Sequence, residues 1–247
     1  MIVTGAAGEL GYRLSERLYR AGYGVFMLDR VPIAHPYLRE RLDGGDPWLR
    51  ESRVDLTHPG ALDQLSEAAP RPLHALVNMA GLKVFGAFTE LAAVDFEKVI
   101  ETNLIVPTRL CRWAIGHLEH GGVIVNVVSA AGFSAPAGYT AYSASKFGLL
   151  GFSMALAEEL RGCGIRLNTL CPPTVATSEF LQREGTSGSA QLVPAERFVS
   201  VAMRLMEPGA MVWGRNVRFF TLRKFAGSVW RDVRRWVMDA CDMVRFR

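Results

Sequence analysis

The chain has 247 residues, which is the size of one α/β domain with a sizeable buried core. Apolar residues make up 49% and charged residues 21%, as in ordinary globular proteins, and no apolar run is long enough to span a bilayer. The formal charge of +4 comes from residues 219–247, where seven Arg and Lys stand against three Asp, which argues against a nucleic-acid binder with a basic surface over the whole protein.

Short apolar runs rich in Val and Ile alternate along the chain with longer segments of helical period. The runs that we predict as strands are Met1–Val3, Gly24–Leu28, Leu73–Val77, Gly122–Val128 and Ile165–Leu170. They are continuous rather than alternating, which indicates strands buried on both faces of a parallel sheet. The segments that we predict as helices are one around Leu10, Leu14 and Leu18, and two longer ones over Asp95–His120 and Tyr139–Arg161.

This alternation predicts an α/β fold with a doubly wound, mostly parallel sheet of the Rossmann type in a single domain. We place that dinucleotide-binding and catalytic domain over residues 1–214 and a basic amphipathic tail over residues 215–247. Residues 174–194 are rich in Ser, Thr and Gly, which predicts a mobile loop with little packing of its own. This loop is either a lid over the substrate or a disordered connection.

Glycines punctuate the turn that follows the first predicted strand, and the helix around Leu14 begins directly afterwards. The turn reads Thr4-Gly5-Ala6-Ala7-Gly8-Glu9-Leu10-Gly11. Glycines let a backbone turn tightly and approach a pyrophosphate, whose charge is stabilised by the free N–H groups of a helix N-terminus. Strand, turn and helix in this order predict a dinucleotide-binding site.

Asp29 ends the second predicted strand, 18 residues after Gly11. A carboxylate there can accept hydrogen bonds from the hydroxyl groups of the adenosine ribose and repels a 2′-phosphate, so NAD(H) is favoured. Arg30 follows directly, and because a guanidinium can pair with that phosphate, NADP(H) stays open. The alternative for Asp29 is a solvated strand end or a helix cap.

A serine, a tyrosine and a lysine form the second chemical motif. Ser129 ends a predicted strand, and 13 residues later Tyr142 and Lys146 lie four residues apart on one face of a predicted helix. A phenol titrates about three pH units above neutrality, and a nearby cation lowers its pKa. Ser129 at the carboxyl end of its strand can hydrogen-bond a substrate oxygen. Alone, the Tyr–Lys spacing also fits an exposed helix, but its position after a dinucleotide turn favours catalysis.

These residues are where the chain resembles the short-chain dehydrogenases and reductases in their common single-domain form. The resemblance covers roughly residues 1–206. Its motifs are Thr4 to Gly11, which resembles the TGxxxGxG turn, Asp55-Leu56, which resembles the pair that holds the adenine, and Asn78-Met79-Ala80-Gly81, which resembles NNAG with Met79 in place of the second Asn. Asn103, Ser129, Tyr142 and Lys146 match the family's Asn–Ser–Tyr–Lys catalytic set.

The resemblance implies an NAD(P)-dependent oxidoreductase that interconverts an alcohol and a ketone or aldehyde by hydride transfer. Tyr142 is then the general acid and base. Lys146 holds the nicotinamide ribose and lowers the Tyr142 pKa, while Asn103 anchors a water that passes protons onward from Lys146. The resemblance also implies a homodimer or homotetramer, in which the two long helices pack across a subunit contact.

The segment from Asn168 to Thr177 resembles the family's NxxxPGxVxT segment, whose counterparts of Val175 and Thr177 contact the nicotinamide carboxamide. Pro173 replaces the usual glycine, which fixes φ and removes an N–H group beside the nicotinamide. The cofactor-binding set predicted in this way is Gly5, Ala7, Gly8, Glu9, Leu10, Gly11, Asp29, Arg30, Asp55, Leu56, Asn78, Ala80, Gly81, Tyr142, Lys146, Pro172, Val175 and Thr177.

No metal site is expected. The four cysteines, Cys111, Cys163, Cys171 and Cys241, show no CxxC spacing and no accompanying His cluster, which indicates reduced thiols. His117 and His120 bracket Glu119 without the HExxH spacing of zinc proteases. Because no basic and apolar leader precedes the first motif, we predict a cytoplasmic location.

The C-terminal tail combines apolar residues at helical spacing with arginines on the remaining face. The apolar positions are Leu222, Phe225, Val229, Val233, Val237 and Val244, with Trp230 and Trp236 nearby. Three interpretations stay open: a helix docked on its own domain, a helix packed on a partner subunit, or an interfacial helix in peripheral contact with anionic lipid.

Two alternatives to catalysis on this fold follow from the same residues. A non-catalytic nucleotide-sensing protein needs the glycine turn but not the complete Ser–Tyr–Lys set, and a methyltransferase has no use for Tyr142 and Lys146. The substrate is a small carbonyl or alcohol compound whose identity the motifs leave open. Four aromatic residues, Phe85, Phe88, Phe133 and Tyr139, either line its pocket or pack in the core.

Overall fold

The computed structural model describes residues 1–184, 192–207 and 217–219. Within these ranges the chain alternates strands and helices. The elements of the N-terminal half are β1 (Ile2–Thr4), α1 (Glu9–Arg20), β2 (Val25–Asp29), α2 (Pro36–Asp43), β3 (Leu49–Arg53), α3 (Ala61–Ala68), β4 (Leu73–Asn78), α4 (Ala93–Ile100) and α5 (Val106–Ile115), with a π-helical turn at Glu101–Ile105 between the last two. The later elements are β5 (Leu118–Val127), α6 (Thr140–Glu159), β6 (Arg166–Cys171), β7 (Val175–Ala176), α7 (Ser178–Glu184), β8 (Val193–Pro194), α8 (Ala195–Met206) and β9 (Val217–Phe219).

The described strands build one seven-stranded parallel sheet in the order β3-β2-β1-β4-β5-β6-β9, while β7 and β8 pair separately. The strand order reverses direction between β1 and β4, since the chain winds outward from β1 to β3 and then returns to add β4 on the other side. Ligands of open α/β sheets bind at the carboxyl ends of the strands at such a switch point. This confirms the predicted doubly wound Rossmann-type fold.

Successive strand residues point to opposite faces of the sheet, and each face is covered by helices. On one face Val3 and Val125 pack with Leu14 of α1 and Phe198 of α8. On the other face, strand residues such as Ile2 and Ile124 pack with α3, α5 and the end of α6. The continuous apolar runs are therefore buried on both sides, as their pattern predicted.

Two predicted segments differ from the structure, and the edge strand β3 was not predicted. The Asp95–His120 helix ends at Ile115, and His120 already lies in β5. Residues 174–194 are not simply a loop, because they contain β7, α7 and β8 around residues 185–191, which lie outside the described residues. The strand β3 has no counterpart among the predicted runs, since its sequence at the sheet edge is largely polar.

Most of the predicted tail, residues 220–247, lies outside the described residues, as do residues 208–216. The strand β9 pairs with β6 in the main sheet and lies just beyond the predicted boundary at residue 214. Among the described cysteines, Cys111 and Cys171 are buried and Cys163 is exposed, each as a free thiol, while Cys241 falls in the undescribed part. No helix of the described ranges combines the length and apolarity that crossing a bilayer requires.

Candidate active site

The glycine turn between β1 and α1 is held in close contact with the segment after β4. Gly5 has φ of +67°, and a Cβ atom there would lie 2.7 Å from the Ala80 Cα. A Cβ on Gly11 would lie 2.1 Å from the Gly5 carbonyl oxygen. The Thr4 hydroxyl accepts hydrogen bonds from the N–H groups of Met79 and Ala80, both at 3.0 Å. The turn and the Asn78–Gly81 segment therefore form one compact edge.

Gly8 differs from these two glycines because its lack of a side chain is not required by the fold. A Cβ atom there would meet only the Gly5 carbonyl oxygen, at an ordinary contact distance of 3.4 Å. Gly8 is exposed and precedes α1, and no side chain caps the N-terminus of that helix. The N–H groups of the first helical turn are thus available to an anion, and the smallness of Gly8 lets that anion approach the backbone.

The spacing of the glycines departs from the TGxxxGxG pattern. They lie at positions 5, 8 and 11, so Glu9 occupies the place of the second glycine. The Glu9 carboxylate accepts a hydrogen bond from Ser178 N–H at 2.6 Å and pairs with Arg13 at 3.0 Å. Burial opposes ionisation, but these two partners outweigh it and hold the pKa of Glu9 below its ordinary value. Glu9 therefore ties the glycine turn to the start of α7.

Of the predicted adenosine-binding side chains, Asp29 lies beside this turn and Asp55 follows the neighbouring strand β3. Asp29 accepts hydrogen bonds from Ala7 N–H at 3.0 Å and from Val31 N–H at 3.2 Å. Asp55 accepts bonds from the N–H and hydroxyl of Thr57, and these bonds, with the charge of Arg30 nearby, lower the pKa of Asp55 although burial opposes the shift. Asp29 thus lies where the sequence predicted, while the Asp55 carboxylate also serves as the cap of a turn.

The Asn78 side chain lies away from the glycine turn, in a buried polar network between the sheet and the helices α5 and α6. It donates to Asn126 Oδ1 at 2.8 Å and to the Cys111 sulfur at 3.4 Å, and Asn126 donates to Ser153 at 2.9 Å. Burial raises the pKa of the Cys111 thiol to about 12, so this thiol is protonated and inert at neutral pH. The Asn78 side chain therefore belongs to the buried network, and only the Asn78 backbone adjoins the Ala80–Gly81 edge.

Asn103 lies in the π-helical turn and braces the site. Its Oδ1 accepts from Leu82 N–H at 2.7 Å, and its Nδ2 donates to Leu82 O at 2.8 Å and to Ser145 Oγ at 3.0 Å. It is fully buried. This side chain therefore joins the loop after β4 to α6, and both of its donor protons are used.

Pro107 explains why the long helix is irregular at Asn103. An α-helical bond to the Asn103 carbonyl needs the N–H group four residues later, and proline has none. The helix widens into a π turn in this region, where Val106 N–H bonds to the Glu101 carbonyl. Such turns occur frequently at functional sites. The main-chain carbonyl of Asn103 consequently has no α-helical partner.

Ser129, Tyr142 and Lys146 come together at the carboxyl end of β5. The Tyr142 hydroxyl is hydrogen-bonded to the Ser129 side chain. The Lys146 ammonium lies 5.7 Å from the Tyr142 ring centroid and donates to the Val127 carbonyl at 3.0 Å. A Cβ on Gly81 would lie 3.9 Å from that ammonium and 3.5 Å from Asn103 Oδ1. The three predicted side chains thus adjoin the edge that carries the glycine turn.

Burial governs the protonation of this cluster. It raises the pKa of Tyr142 above its ordinary value, although the Ser129 hydrogen bond partly offsets the shift. It lowers the pKa of Lys146 to about 8, although the neighbouring Cys171 opposes the shift. The sequence predicted a lowered Tyr142 pKa from the adjacent cation. The structure shows the opposite direction, because the ammonium is directed at Val127 and the phenol is desolvated.

The segment after β6 borders the same edge of the sheet on the side of α7. The Pro172 carbonyl accepts from Ala130 N–H at 2.8 Å, which fixes it next to Ser129. Val175 pairs with Val193 in the short β7–β8 sheet. The Thr177 hydroxyl accepts from Phe180 N–H at 3.3 Å and so caps the first turn of α7.

Several residues that support the site were missed from the sequence. Pro107, Asn126 and Ser145 were not singled out, and Thr4 was named only as the first residue of the glycine turn. For Pro107 a signal existed, since a proline inside a predicted helix interrupts the regular bond pattern. For Asn126 and Ser145 no local signal distinguishes a buried polar side chain from a solvated one.

Taken together, the fold and the site define a dinucleotide-binding α/β protein with a serine, a tyrosine and a lysine at the switch point of its sheet. A family model described as short chain dehydrogenase matches residues 1–186. The chain belongs to the short-chain dehydrogenase family, whose members are oxidoreductases.

Relatives within the family carry the names of dehydrogenases and reductases. The chain is 31% identical over 207 residues to D-threitol dehydrogenase of Mycolicibacterium smegmatis, with 80% of this chain and 79% of that protein covered. It is 35% identical over 190 residues to a putative ketoacyl reductase of Streptomyces coelicolor, with 71% and 70% covered. A structure of actinorhodin polyketide ketoreductase with NADPH has a TM-score of 0.75 and 28% identity, over 89% of this chain and 94% of that one.

Proposed function

We propose that this protein transfers a hydride between a nicotinamide dinucleotide and the carbon of an alcohol or carbonyl compound, with Tyr142 as the general acid and base. The observation that carries the proposal is the cluster of Ser129, Tyr142 and Lys146 next to Gly81, which in turn adjoins the Gly5 turn. The candidate proton-transfer groups and the anion-binding N-terminus of α1 thus lie at one edge of the sheet.

The residues present fit a dinucleotide. The uncapped N-terminus of α1 behind Gly8 suits the pyrophosphate. The close contact of Gly5 with Ala80 forms the backbone surface beneath it. The residues that would hold the cofactor are those predicted: Gly5, Ala7, Gly8, Glu9, Leu10, Gly11, Asp29, Arg30, Asp55, Leu56, Ala80, Gly81, Tyr142, Lys146, Pro172, Val175 and Thr177, with Asn78 through its backbone. A bound nicotinamide supplies or takes up the hydride.

The carboxylate of Asp29 favours NAD(H). It lies at the glycine turn, where a ribose with free hydroxyl groups can donate to it and a 2′-phosphate is repelled. Arg30 is exposed next to it, and its charge acts on Asp55. Because that guanidinium already lies among carboxylates, we expect NADP(H) to bind more weakly than NAD(H).

Tyr142 moves the proton at the substrate oxygen. In reduction its hydroxyl gives a proton to the carbonyl oxygen, and in oxidation its phenolate takes the proton of the substrate hydroxyl. Ser129 already bonds this hydroxyl and can hold the substrate oxygen beside it. Because burial raises the pKa of Tyr142, the phenol is protonated at neutral pH, which suits reduction.

Lys146 supplies a positive charge beside Tyr142. Asn103 supplies the route by which the proton of Tyr142 is replaced. The buried ammonium of Lys146, 5.7 Å from the Tyr142 ring centroid, would hold the nicotinamide ribose and keep a positive charge beside the site. The Asn103 carbonyl, which Pro107 leaves without an α-helical partner, is the acceptor that we assign to a proton-relaying water.

We also propose that the protein forms a homodimer or homotetramer in the cytoplasm. The helices α4 and α6 expose Val94, Phe147 and Met154, which are 52%, 41% and 49% accessible. Apolar side chains exposed on two neighbouring helices are suited to a subunit contact.

The test of the function measures turnover of a panel of alcohols and ketones with NAD(H) and NADP(H) by nicotinamide absorbance. Tyr142→Phe is expected to lower kcat by about 10²–10⁴-fold while cofactor affinity stays nearly constant, because only the proton-transfer group is removed. Oxidation by the wild type should accelerate from pH 7 toward pH 10, as the phenol with its raised pKa ionises. Cofactor binding without turnover on the whole panel would instead indicate a nucleotide sensor.

A further inference from the structure

The loop that follows Gly81 exposes two phenylalanines, which the sequence left open between a substrate pocket and the core. Phe85 is 66% and Phe88 is 63% accessible, so neither packs in the core. Phe133, by contrast, is partly buried against the cluster of Val128, Leu149 and Cys171. The two loop phenylalanines thus keep large apolar surfaces in solvent next to the candidate active site.

Phe85 is fixed toward the catalytic tyrosine by contacts with the segment that precedes α6. Its ring packs edge-on against Tyr139, with a centroid distance of 4.8 Å and an interplanar angle of 77°. Gly86 N–H donates to the Gly138 carbonyl at 3.1 Å, and a Cβ on Gly138 would lie 3.3 Å from the Phe85 ring. The exposed ring therefore has a defined position.

Tyr139 extends this arrangement to the reacting group. Its ring lies 6.3 Å from the Tyr142 ring, also in an edge-on orientation, and the Lys83 ammonium lies 4.7 Å from its centroid. Three neighbours thus hold Tyr139 in place. Phe85, Tyr139 and Tyr142 form a series of rings that runs from solvent to the proton-transfer hydroxyl.

We propose that Phe85 and Tyr139 form an aryl subsite, so that the preferred substrate is an aryl ketone or the matching secondary alcohol. This inference rests on the proposed function. With its carbonyl oxygen at Tyr142 and Ser129, an aryl ketone directs its ring toward Tyr139 and Phe85, where edge-to-face contacts become available. Such contacts favour an aromatic ring over a saturated ring of the same size, which area burial alone does not.

The test compares acetophenone with cyclohexyl methyl ketone, which differ in aromaticity but little in size. The wild type should prefer the phenyl ketone in kcat/KM. Phe85→Leu keeps an apolar side chain but removes the ring, and should reduce that preference by about 5- to 10-fold, mainly through KM, because an edge-to-face pair contributes on the order of 1 kcal/mol. The kcat/KM of the cyclohexyl ketone should fall less than that of the phenyl ketone, because Leu keeps an apolar contact but offers no aromatic ring.

Phe88→Leu is the matched control. Phe88 is on the same loop and equally exposed, but its ring packs against Phe96 at 6.2 Å. This variant should keep the wild-type preference. The proposal is overturned if the wild type turns over both ketones equally well, or if Phe88→Leu changes the preference as much as Phe85→Leu does.

Failure of the aryl subsite is distinguishable from failure of the proposed function. Turnover of panel substrates without a phenyl preference overturns the subsite alone. If neither ketone is turned over, calorimetry of the two ketones with the cofactor-saturated protein decides, since equal affinities overturn the subsite and tighter phenyl binding that Phe85→Leu removes supports it.

Discussion

The buried floor of the site and its aromatic rim are built in opposite ways. The floor, which we define as Asn103, Ser145 and Lys146, is 0 to 4% accessible, and each of its side chains hydrogen-bonds to neighbouring elements. The rim, defined as Phe85 and Phe88, is more than 60% accessible, and each of its rings packs edge-on against another aromatic ring.

This difference separates two roles. A saturated network of buried hydrogen bonds holds proton-transfer groups in one geometry, because every displacement leaves a polar atom without a partner. An exposed ring has few such constraints and can be exchanged at little cost to the fold. Substitutions in the floor should therefore change stability and chemistry together, whereas substitutions in the rim should change selectivity alone.

Asn103→Ala should have the largest effect on stability. It removes three hydrogen bonds and leaves the backbone of Leu82 without its partner, which should lower the free energy of unfolding by about 3 kcal/mol in urea titrations. Turnover measured on the folded fraction should fall as well. The control is Asn168→Ala, a buried asparagine that donates one bond to Leu205, with an expected loss of about 1 kcal/mol and normal turnover. Equal losses of unfolding free energy in Asn103→Ala and Asn168→Ala would contradict the special role given to the floor.

Lys146 should make stability depend on pH. Its pKa is about 8 in the folded chain and 10.5 for an unperturbed lysine, so the unfolded chain binds more protons between these values and stability due to this residue rises with pH. Lys146→Met removes the titration. Its stability advantage over the wild type should shrink by about 2 kcal/mol between pH 7.5 and pH 10 in denaturant titrations.

The exposed Lys98 on α4 is the control for this titration. Its side chain is mostly exposed and pairs with Asp95 at 3.6 Å, so Lys98→Met controls for the loss of one lysine at the surface rather than in the core. A constant difference between wild type and Lys146→Met across that pH range would show that Lys146 is not desolvated in the folded protein.

Phe88→Leu and Phe85→Leu should have the smallest effect. Both rings are mostly solvated, so thermal unfolding should report a change in stability within about 0.5 kcal/mol of the wild type. A loss above about 2 kcal/mol in either variant would place the rim inside the cooperative core and remove the distinction drawn above.

The sequence was sufficient for the central strands of the sheet and for three candidate side chains of the site. The continuous apolar runs predicted five strands because central strands are buried on both faces, and Ser129, Tyr142 and Lys146 were found from spacing and position. The edge strand β3 was missed, since Leu49–Arg53 carries two arginines and a glutamate and so shows no apolar run.

The environment of a side chain was harder to predict from the sequence than its position in the chain. The Tyr142 pKa was predicted to fall because spacing reports that a lysine is near, but not where its ammonium points or how much water reaches the phenol. The hydrogen-bond partners of Asn103 were likewise not predictable from spacing, because Leu82 and Ser145 lie 21 and 42 residues away. Such contacts are set by the packing of whole helices, which no local pattern encodes.

The π turn at Glu101–Ile105 has a geometric consequence for the second half of its helix. One extra residue in a helical turn sets every later side chain back by roughly 100° around the axis relative to an uninterrupted α-helix of the same residues. Residues from Val106 onward are thus out of phase with those of α4. If the same residues formed an uninterrupted α-helix, Leu110 and Cys111 would be rotated away from the core that they now share with the sheet, so the wide turn keeps the buried face of α5 directed inward.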